Sequence, residues 1–349
     1  MDWGLGHATR CIPVINELLR NGCEVQMASS GQALTLLREE FSSLKSFKLI
    51  PYSATYSSWL PLRLKVALQL PKFLYAIWKE HRQIKRIVSD EKIDFIISDN
   101  RYGCWSAQKP SVFIGHLLNV EVPLFQRMLN RYHSYLINRF SICWIPDTTE
   151  NSLSGKLSAA KLKHVKYIGL LSRMKWKAAE IQYEIIAVIS GPEPQRTIFE
   201  KKIRAQLLAS KKKSLVVKGL PESPHRSQTD NLTEVSHLHS AELNEALLQS
   251  ALVICRSGYS SVMDLATLGK KAIFVPTPGQ PEQEYLADEM MKKGIAYAMP
   301  QHELDIAKAI DESKKITGFG IYQHTNNLRE AVRELIDLQE RKENTETKN

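Results

Sequence analysis

An apolar run from Leu252 to Cys255 stops abruptly at Ser257-Gly258. A Ser/Gly/Ser cluster then opens a short helix that stops at Gly269, and a second apolar run, Ala272 to Val275, ends at Pro276 and Pro278. A glycine after the last helical residue and prolines after a strand are ordinary terminators. Strand, helix, strand within so short a span is a βαβ unit, and its two strands run parallel. Parallel strands need helices on both faces, which sets the fold class as α/β. Ligands of such sheets sit beyond the carboxyl ends of the strands, against helix N-termini. Arg256, Ser257, Gly258, Ser260 and Ser261 fall there. Asp264 falls about one turn into the helix, where its carboxylate could accept two hydroxyl hydrogen bonds. The plainer reading of the same residues is an ordinary buried βαβ unit with a glycine turn.

A chain of 349 residues suits two domains. The first, 1–169, alternates helices with short strands: a helix opening at Ala8 and ending at Asn21-Gly22, then strands at Cys23 to Ala28, Phe47 to Ile50, Ile93 to Ser98, Ser111 to Gly115, Ile142 to Ile145 and Val165 to Ile168. Trp59 to Val88 reads as two helical pieces divided by Pro71. The second domain, 170–332, opens with the strand Glu184 to Ile189 and a helix from Thr197. Its next strands are Ser214 to Lys218 and Thr233 to Leu238, with a polar loop, Pro221 to Asn231, between them. Ser240 caps the helix that leads into the βαβ unit. A strand at Gly294 to Met299 follows, then a helix opened by His302. The segment 333–349 holds the end of a terminal helix and a polar, disordered tail from Arg341.

The pattern Arg256-Ser257-Gly258, Asp264, Gly269 to Pro276, then Glu282-Gln283-Glu284 resembles the nucleotide-sugar half of glycosyltransferase family 28. The resemblance covers the C-terminal half well and the N-terminal half only through short loops. It implies the GT-B fold, two Rossmann-like domains facing across a cleft. It further implies a UDP-sugar donor, UDP-GlcNAc being one option, and direct inverting transfer to an acceptor hydroxyl. By the same resemblance Asp264, usually Glu in the family, holds the ribose, and Gln283 and Glu284 read the donor sugar. Glu284 replaces the family's usual Gln, which leaves the sugar open. Gly191 sits in a loop that is also Gly-rich in the family, although Pro192 and Pro194 lack N–H groups to offer a diphosphate. His239 and Leu243 border the nucleobase. Arg256 would neutralise diphosphate charge; the plainer reading is a surface ion pair.

On the acceptor side, Gly4-Leu5-Gly6-His7 opens the first helix, and the resemblance sets His7 beside the acceptor hydroxyl. An imidazole there can act as general base; alternatively it is an unremarkable helix N-terminal histidine. Asp99, Asn100 and Tyr102 leave a strand at the cleft edge, where they contact acceptor or simply cap the next segment. A Gly-x-Gly-His loop is normally aimed by a strand before it, and related proteins have one. This chain is therefore expected to lack its first strand, through truncation or a misplaced start codon, at a cost of about 1.5–3 kcal/mol per buried side chain lost.

The net charge of +10 favours anionic partners. No helix-turn-helix, RNA-recognition or zinc-finger pattern supports nucleic acid. The five scattered cysteines, without C-x-x-C pairing, read as reduced thiols of a cytoplasmic protein. No apolar run spans a bilayer. Trp59 to Val88 mixes aromatic and basic residues. Amphipathic helices packed on the sheet explain it, and a patch for a lipid-linked acceptor at the inner membrane face is the alternative. No Asp-x-Asp occurs, so neither a metal nor another cofactor is expected, the UDP-sugar being a co-substrate. A nucleotide-sugar epimerase of the same fold and a non-catalytic nucleotide-sugar-binding protein remain as alternatives.

Overall fold

The computed structural model describes residues 6–52, 62–119, 126–150, 152–159, 162–220, 225–320 and 326–346. Gly4, Trp59 and Leu60, singled out in the sequence, lie outside them, as do residues 221–224 of the polar loop and 347–349 of the tail. Two compact units form: Met1–Leu171 with Thr325–Asn349, and Ser172–His324.

Unit 1 runs α1 (Gly6–Arg20), β1 (Met27–Ser29), α2 (Gly31–Glu40), β2 (Ser46–Lys48), α3 (Leu62–Asp90), β3 (Ile96–Asp99), β4 (Ser111–Ile114), α4 (Gln126–Ile137), β5 (Ile142–Ile145) and β6 (Val165–Tyr167). Its sheet is in two pieces, β1-β2 and β3-β4-β5-β6, each parallel throughout. The expectation of a missing first strand concerns the chain ahead of Gly6, a stretch that lies outside the described residues. The α1 helix buries Ala8, Ile12 and Ile15 against Met27, Ala33 and Leu37, the 3.6-residue stripe of a helix on a sheet.

Pro71 does not divide α3, which is one helix of 29 residues. A proline inside a helix removes one hydrogen bond, and here the packed face beyond it, Ala76, Ile77 and Ile84, holds the helix to the core. One charged group is buried on that face as well. Glu80 accepts hydrogen bonds from Arg101 Nε (2.5 Å), from Gly103 N (2.9 Å) and from the Tyr52 hydroxyl. Gly103 is required at that point, because a Cβ would lie 2.6 Å from the Ile77 carbonyl oxygen.

Unit 2 runs β7 (Tyr183–Val188), α5 (Gln195–Ser210), β8 (Ser214–Val217), β9 (Arg226–Thr229), β10 (Leu232–Val235), α6 (Ser240–Leu248), β11 (Ser250–Cys255), α7 (Tyr259–Leu268), β12 (Lys271–Phe274), α8 (Pro281–Lys292), β13 (Tyr297–Ala298) and α9 (Ile306–Glu312). One seven-stranded sheet has the order β13-β12-β11-β7-β8-β10-β9. All its pairs are parallel except β9 with β10. The expected βαβ unit is β11-α7-β12, with Cys255 opposite Phe274. Gly269 stops α7 in the left-handed conformation, φ 63°, which costs glycine nothing. The chain order reverses between β7 and β11, the switch point where doubly wound sheets open a crevice.

Three expectations change in unit 2. The polar loop contains β9, whose Arg226, Gln228 and Thr229 are exposed. As an edge strand it carries no apolar alternation to reveal it. Ser240 is the first helical residue of α6 and not its cap, a place held by His239. His302 lies in a 3-10 turn, Gln301–Glu303, and the helix starts only at Ile306. The terminal helix, α10 (Asn327–Glu346), belongs with unit 1 and runs six residues into the segment read as a disordered tail. It is tied there by Arg329 to Glu17 (3.3 Å) and Lys166 to Glu334 (2.5 Å).

Candidate active site

In unit 2 the carboxyl ends of β7, β11 and β12 bring distant loops together. Gly191 follows β7 with φ 118°, and a Cβ there would lie 3.5 Å from Thr277 Oγ1 and 3.7 Å from Arg256 Nε. Gly258 is the N-cap of α7, and a Cβ on it would meet nothing within 4 Å. The N-terminus of α7, with Ser260 and Ser261 in its first turn, brings the positive end of the helix dipole to that point.

Arg256 is turned the other way. It is 1% exposed. Its Nε donates to Ser190 O, its Nη1 to Val275 O and Pro276 O, and its Nη2 to Gln195 O and Gln301 Oε1. Those bonds occupy all five N–H donors of a guanidinium. The ring of Phe199 lies 4.1 Å beneath it. Arg256 thus ties together the loops after β7, β11 and β12, and it is not in a surface ion pair. Burial lowers its pKa to about 10.

Asp264, the sixth residue of α7, is partly buried and accepts a hydrogen bond from Ser172 Oγ at 2.5 Å. Burial pushes its carboxyl up to about 6, against the Ser172 hydroxyl and the charge of Arg173, which both pull it down. Ser172 in turn accepts from Met174 N (3.0 Å), and Arg173 donates to Ser240 Oγ (2.7 Å). Ser257 is fully buried and donates to Gln283 O (2.6 Å). Gln283 and Glu284 open α8, where Gln283 Oε1 accepts from Thr277 N and Glu284 Oε1 from Gly279 N. His239 and Leu243 lie one helical turn apart at the head of α6, with Leu243 N bonded to His239 O.

In unit 1 the structure joins His7 to Asp99, 92 residues apart in sequence. His7 Nδ1 lies 3.0 Å from Asp99 Oδ2 and 2.8 Å from Arg10 Nη2. Arg10 is buried, contacts Asp99 Oδ1, and donates to His116 Nδ1 at 2.9 Å. The His7 side chain keeps 21% of its surface open. Burial lowers its pKa to about 4; Asp99 opposes the shift and Arg10 adds to it. Burial alone would raise Asp99, but Arg10 and His7 hold it below the usual carboxylate range. Gly6 is the first residue of α1. Asn100 adopts φ 54°. Tyr102 stacks on Phe113 at 5.3 Å with its hydroxyl 2.8 Å from His133 Nε2, so it is part of the core.

Ser172, Thr277, Arg10 and His116 were not among the residues picked from the sequence. Thr277 is 1% exposed and its Oγ1 has no hydrogen-bond partner. Among the described residues no group of three or more His, Cys, Asp or Glu converges as a metal site does. No helix of the described residues is long and apolar enough to cross a membrane.

Residues 194–342 match the glycosyltransferase family 28 C-terminal domain. The chain is a glycosyltransferase family 28-like protein. Over 76 residues it is 40% identical to a UDP-N-acetylglucosamine--N-acetylmuramyl-(pentapeptide) pyrophosphoryl-undecaprenol N-acetylglucosamine transferase of Histophilus somni, a match covering 22% of this chain and 21% of that protein. An uncharacterized glycosyltransferase of Methanopyrus kandleri is 24% identical over 327 residues, 85% of this chain and 90% of its own. The crystal structure of Acinetobacter baumannii MurG superposes with a TM-score of 0.58 at 14% identity, over 95% of this chain and 96% of that one. The family 28-like chain has the GT-B fold, with a Rossmann-like sheet in each unit, and is a glycosyltransferase.

Proposed function

We propose that this glycosyltransferase moves a sugar from a UDP-sugar to an acceptor hydroxyl by direct, inverting displacement. The observation that carries the reading is Asp264, a carboxylate near the N-terminus of α7 that accepts a hydrogen bond from the Ser172 hydroxyl. Two adjacent ribose hydroxyls would satisfy its remaining acceptor positions. The N–H groups at Gly258 to Ser261 would receive charge on the leaving diphosphate. Gly191, with no side chain in the way, lets the backbone approach the same group. Gln283 and Glu284 at the head of α8 read the sugar. The choice of UDP-GlcNAc follows the name of the Histophilus somni relative.

His7 takes the acceptor proton. The base needs the tautomer in which Nδ1–H donates to Asp99 and Nε2 keeps its lone pair, with Arg10 turned to Asp99 Oδ1 and His116 rather than to Nδ1. The acceptor oxygen then bonds to the anomeric carbon as the bond to UDP breaks, and the proton passes to Nε2. Asp99 stabilises the imidazolium so formed. Gly6 and Asn100 border the acceptor. No step requires a divalent metal, since helix N–H groups meet the diphosphate charge.

The acceptor is lipid-linked in this reading and the protein works at the inner membrane surface. The support is the outer face of α3, where Tyr75 and Trp78 are 59% and 52% exposed among the exposed cations Lys72, Lys79, Arg82, Lys85 and Arg86.

The first experiment is a thermal-shift titration with UDP, UDP-GlcNAc, UDP-glucose, GDP and ADP, on the native chain and on Asp264→Ala. Ligand at ~100 times its dissociation constant stabilises by about 2.7 kcal/mol. A UDP-selective shift that Asp264→Ala abolishes is expected; a shift that survives the substitution removes Asp264 from the site. Incubation with UDP-GlcNAc alone separates transfer from epimerisation, which needs no acceptor.

A further inference from the structure

His7 and Arg10 lie one turn apart on α1, and both turn toward Asp99 at the end of β3. We propose that Arg10 is a positioning residue that sets the tautomer of His7. It holds the resting imidazole with its proton on Nε2, and it frees Nδ1 for the basic tautomer by turning to Asp99 and His116. The proposal rests on the reading of His7 as the base, while the coupling between the two side chains is measurable without that reading.

Two groups compete for His7 Nδ1. Arg10 Nη2 lies 2.8 Å away and can only donate, so it requires a bare Nδ1. Asp99 Oδ2 lies 3.0 Å away and, as a carboxylate, can only accept, so it requires Nδ1–H. One nitrogen cannot meet both. The other contacts decide between them. Arg10 Nη2 has two hydrogens, and Asp99 Oδ1 takes one of them. Arg10 Nη1 donates to His116 Nδ1 at 2.9 Å. These bonds and the one to His7 can all be made at once, provided Nδ1 is bare. If Nδ1 carries the proton, two N–H groups confront each other at 2.8 Å and Nη2 has to move. The bare form costs a lone pair facing Asp99 Oδ2. Arg10 offsets the charge of that carboxylate, and the Cys11 thiol, 3.9 Å from Oδ2, offers it another donor.

The same contacts supply the release. Arg10 is 2% exposed, and a buried cation has to stay paired. Asp99 Oδ1 and His116 Nδ1 accept from it whether or not His7 does. A small turn of Nη2 away from Nδ1 therefore leaves the guanidinium satisfied. Nδ1 then takes a proton from solvent while Nε2 gives one up, with no net change in charge. The His7 side chain keeps 21% of its surface open for that exchange. Nδ1–H donates to Asp99 Oδ2, and Nε2 holds the lone pair. The use of such a hold follows from the chemistry of transfer. A bare Nε2 beside a bound UDP-sugar would activate water as readily as an acceptor hydroxyl. With its proton on Nε2 the imidazole is a hydrogen-bond donor there and no base, so the donor is guarded against hydrolysis.

The test is NMR of protein carrying isotope-labelled histidine, in which long-range proton–nitrogen couplings tell the two tautomers apart. His7→Gln identifies the His7 signals. At about pH 7 the native chain is expected to show His7 with its proton on Nε2. Arg10→Met should move that proton to Nδ1. His116→Phe removes one resting place of the guanidinium and should leave the proton on Nε2. A native His7 protonated on Nδ1 overturns the proposal, and that measurement needs no variant to fold. The same tautomer in native and Arg10→Met protein overturns it too. A second readout follows UDP release from UDP-GlcNAc with no acceptor present. Arg10→Met should release UDP at least ~10-fold faster than the native chain. Equal release, in a protein whose release His7→Ala abolishes, overturns the guarding role. If His7→Ala leaves release unchanged as well, His7 is not the base, and the tautomer alone then decides whether Arg10 positions it.

Discussion

The Ser172 hydroxyl donates to the Asp264 carboxylate across 92 residues of sequence. That single neutral hydrogen bond leaves a half-buried carboxyl with a pKa of about 6. Its folded value lies above its unfolded value of roughly 3.9. The folded protein therefore holds more protons than the unfolded chain between these two values. Whatever stability the group contributes is present below about pH 4 and is lost as pH rises through 6. A ligand that donates hydroxyl hydrogen bonds needs the ionised form. UDP affinity should accordingly rise about tenfold per pH unit up to ~6 and level off above it. Isothermal titration between pH 5 and 8 measures this, and Asp264→Asn should flatten the profile.

His7→Ala should reduce turnover by about 10²–10⁴-fold while leaving the thermal shift with UDP unchanged. Because its imidazole is already lowered to about 4, the His7 limb of the kcat/KM profile should lie near pH 4 and not near 6.5. Asp99→Asn should impair turnover at unchanged donor affinity, since the amide cannot stabilise an imidazolium. Unchanged turnover in either variant removes the dyad from the mechanism.

Arg256→Met should destabilise unit 2 by about 2–4 kcal/mol, because it strands several buried carbonyl oxygens. Urea unfolding of the purified variant is the measurement. Arg256→Lys retains the charge but offers three donors in place of five, so it should fall between the two. If Arg256 met a phosphate directly, Lys would instead preserve stability and change only nucleotide affinity.

The Glu80–Arg101 pair is buried at 1% and 6% side-chain exposure. Arg101 also donates to Ser30 Oγ (3.0 Å) and Ile50 O (2.6 Å). Arg101→Met leaves an uncompensated buried carboxylate and should cost about 3–5 kcal/mol. Adding Glu80→Gln should recover part of that loss, as a double-mutant cycle in urea would register.

Turnover should be unaffected by EDTA. Cosedimentation with vesicles rich in anionic lipid should fall when Tyr75 and Trp78 are both replaced by Ser, with less effect on neutral vesicles.

The βαβ unit was legible because all its signals are local: apolar runs, a glycine that can take φ 63°, prolines after the strand. Asp264 could be placed for the same reason. What the sequence hid is what only the fold assembles. An arginine after a strand looks the same whether it faces solvent or the interior. The carbonyls that hold Arg256 come from residues 190, 195, 275 and 276. Ser172 and His116 carry no local mark. Pro71 misled because local propensity yields to a packed face. The short strand β9 was missed because an edge strand need not be apolar.

That strand has a consequence of its own. One outer margin of the unit 2 sheet is the polar run Arg226-Ser227-Gln228-Thr229, and the other is β13, two residues long. A stray chain seeking a β-ladder finds charge at one border and almost no length at the other. Unit 2 is thereby guarded against fibril-like stacking at both ends.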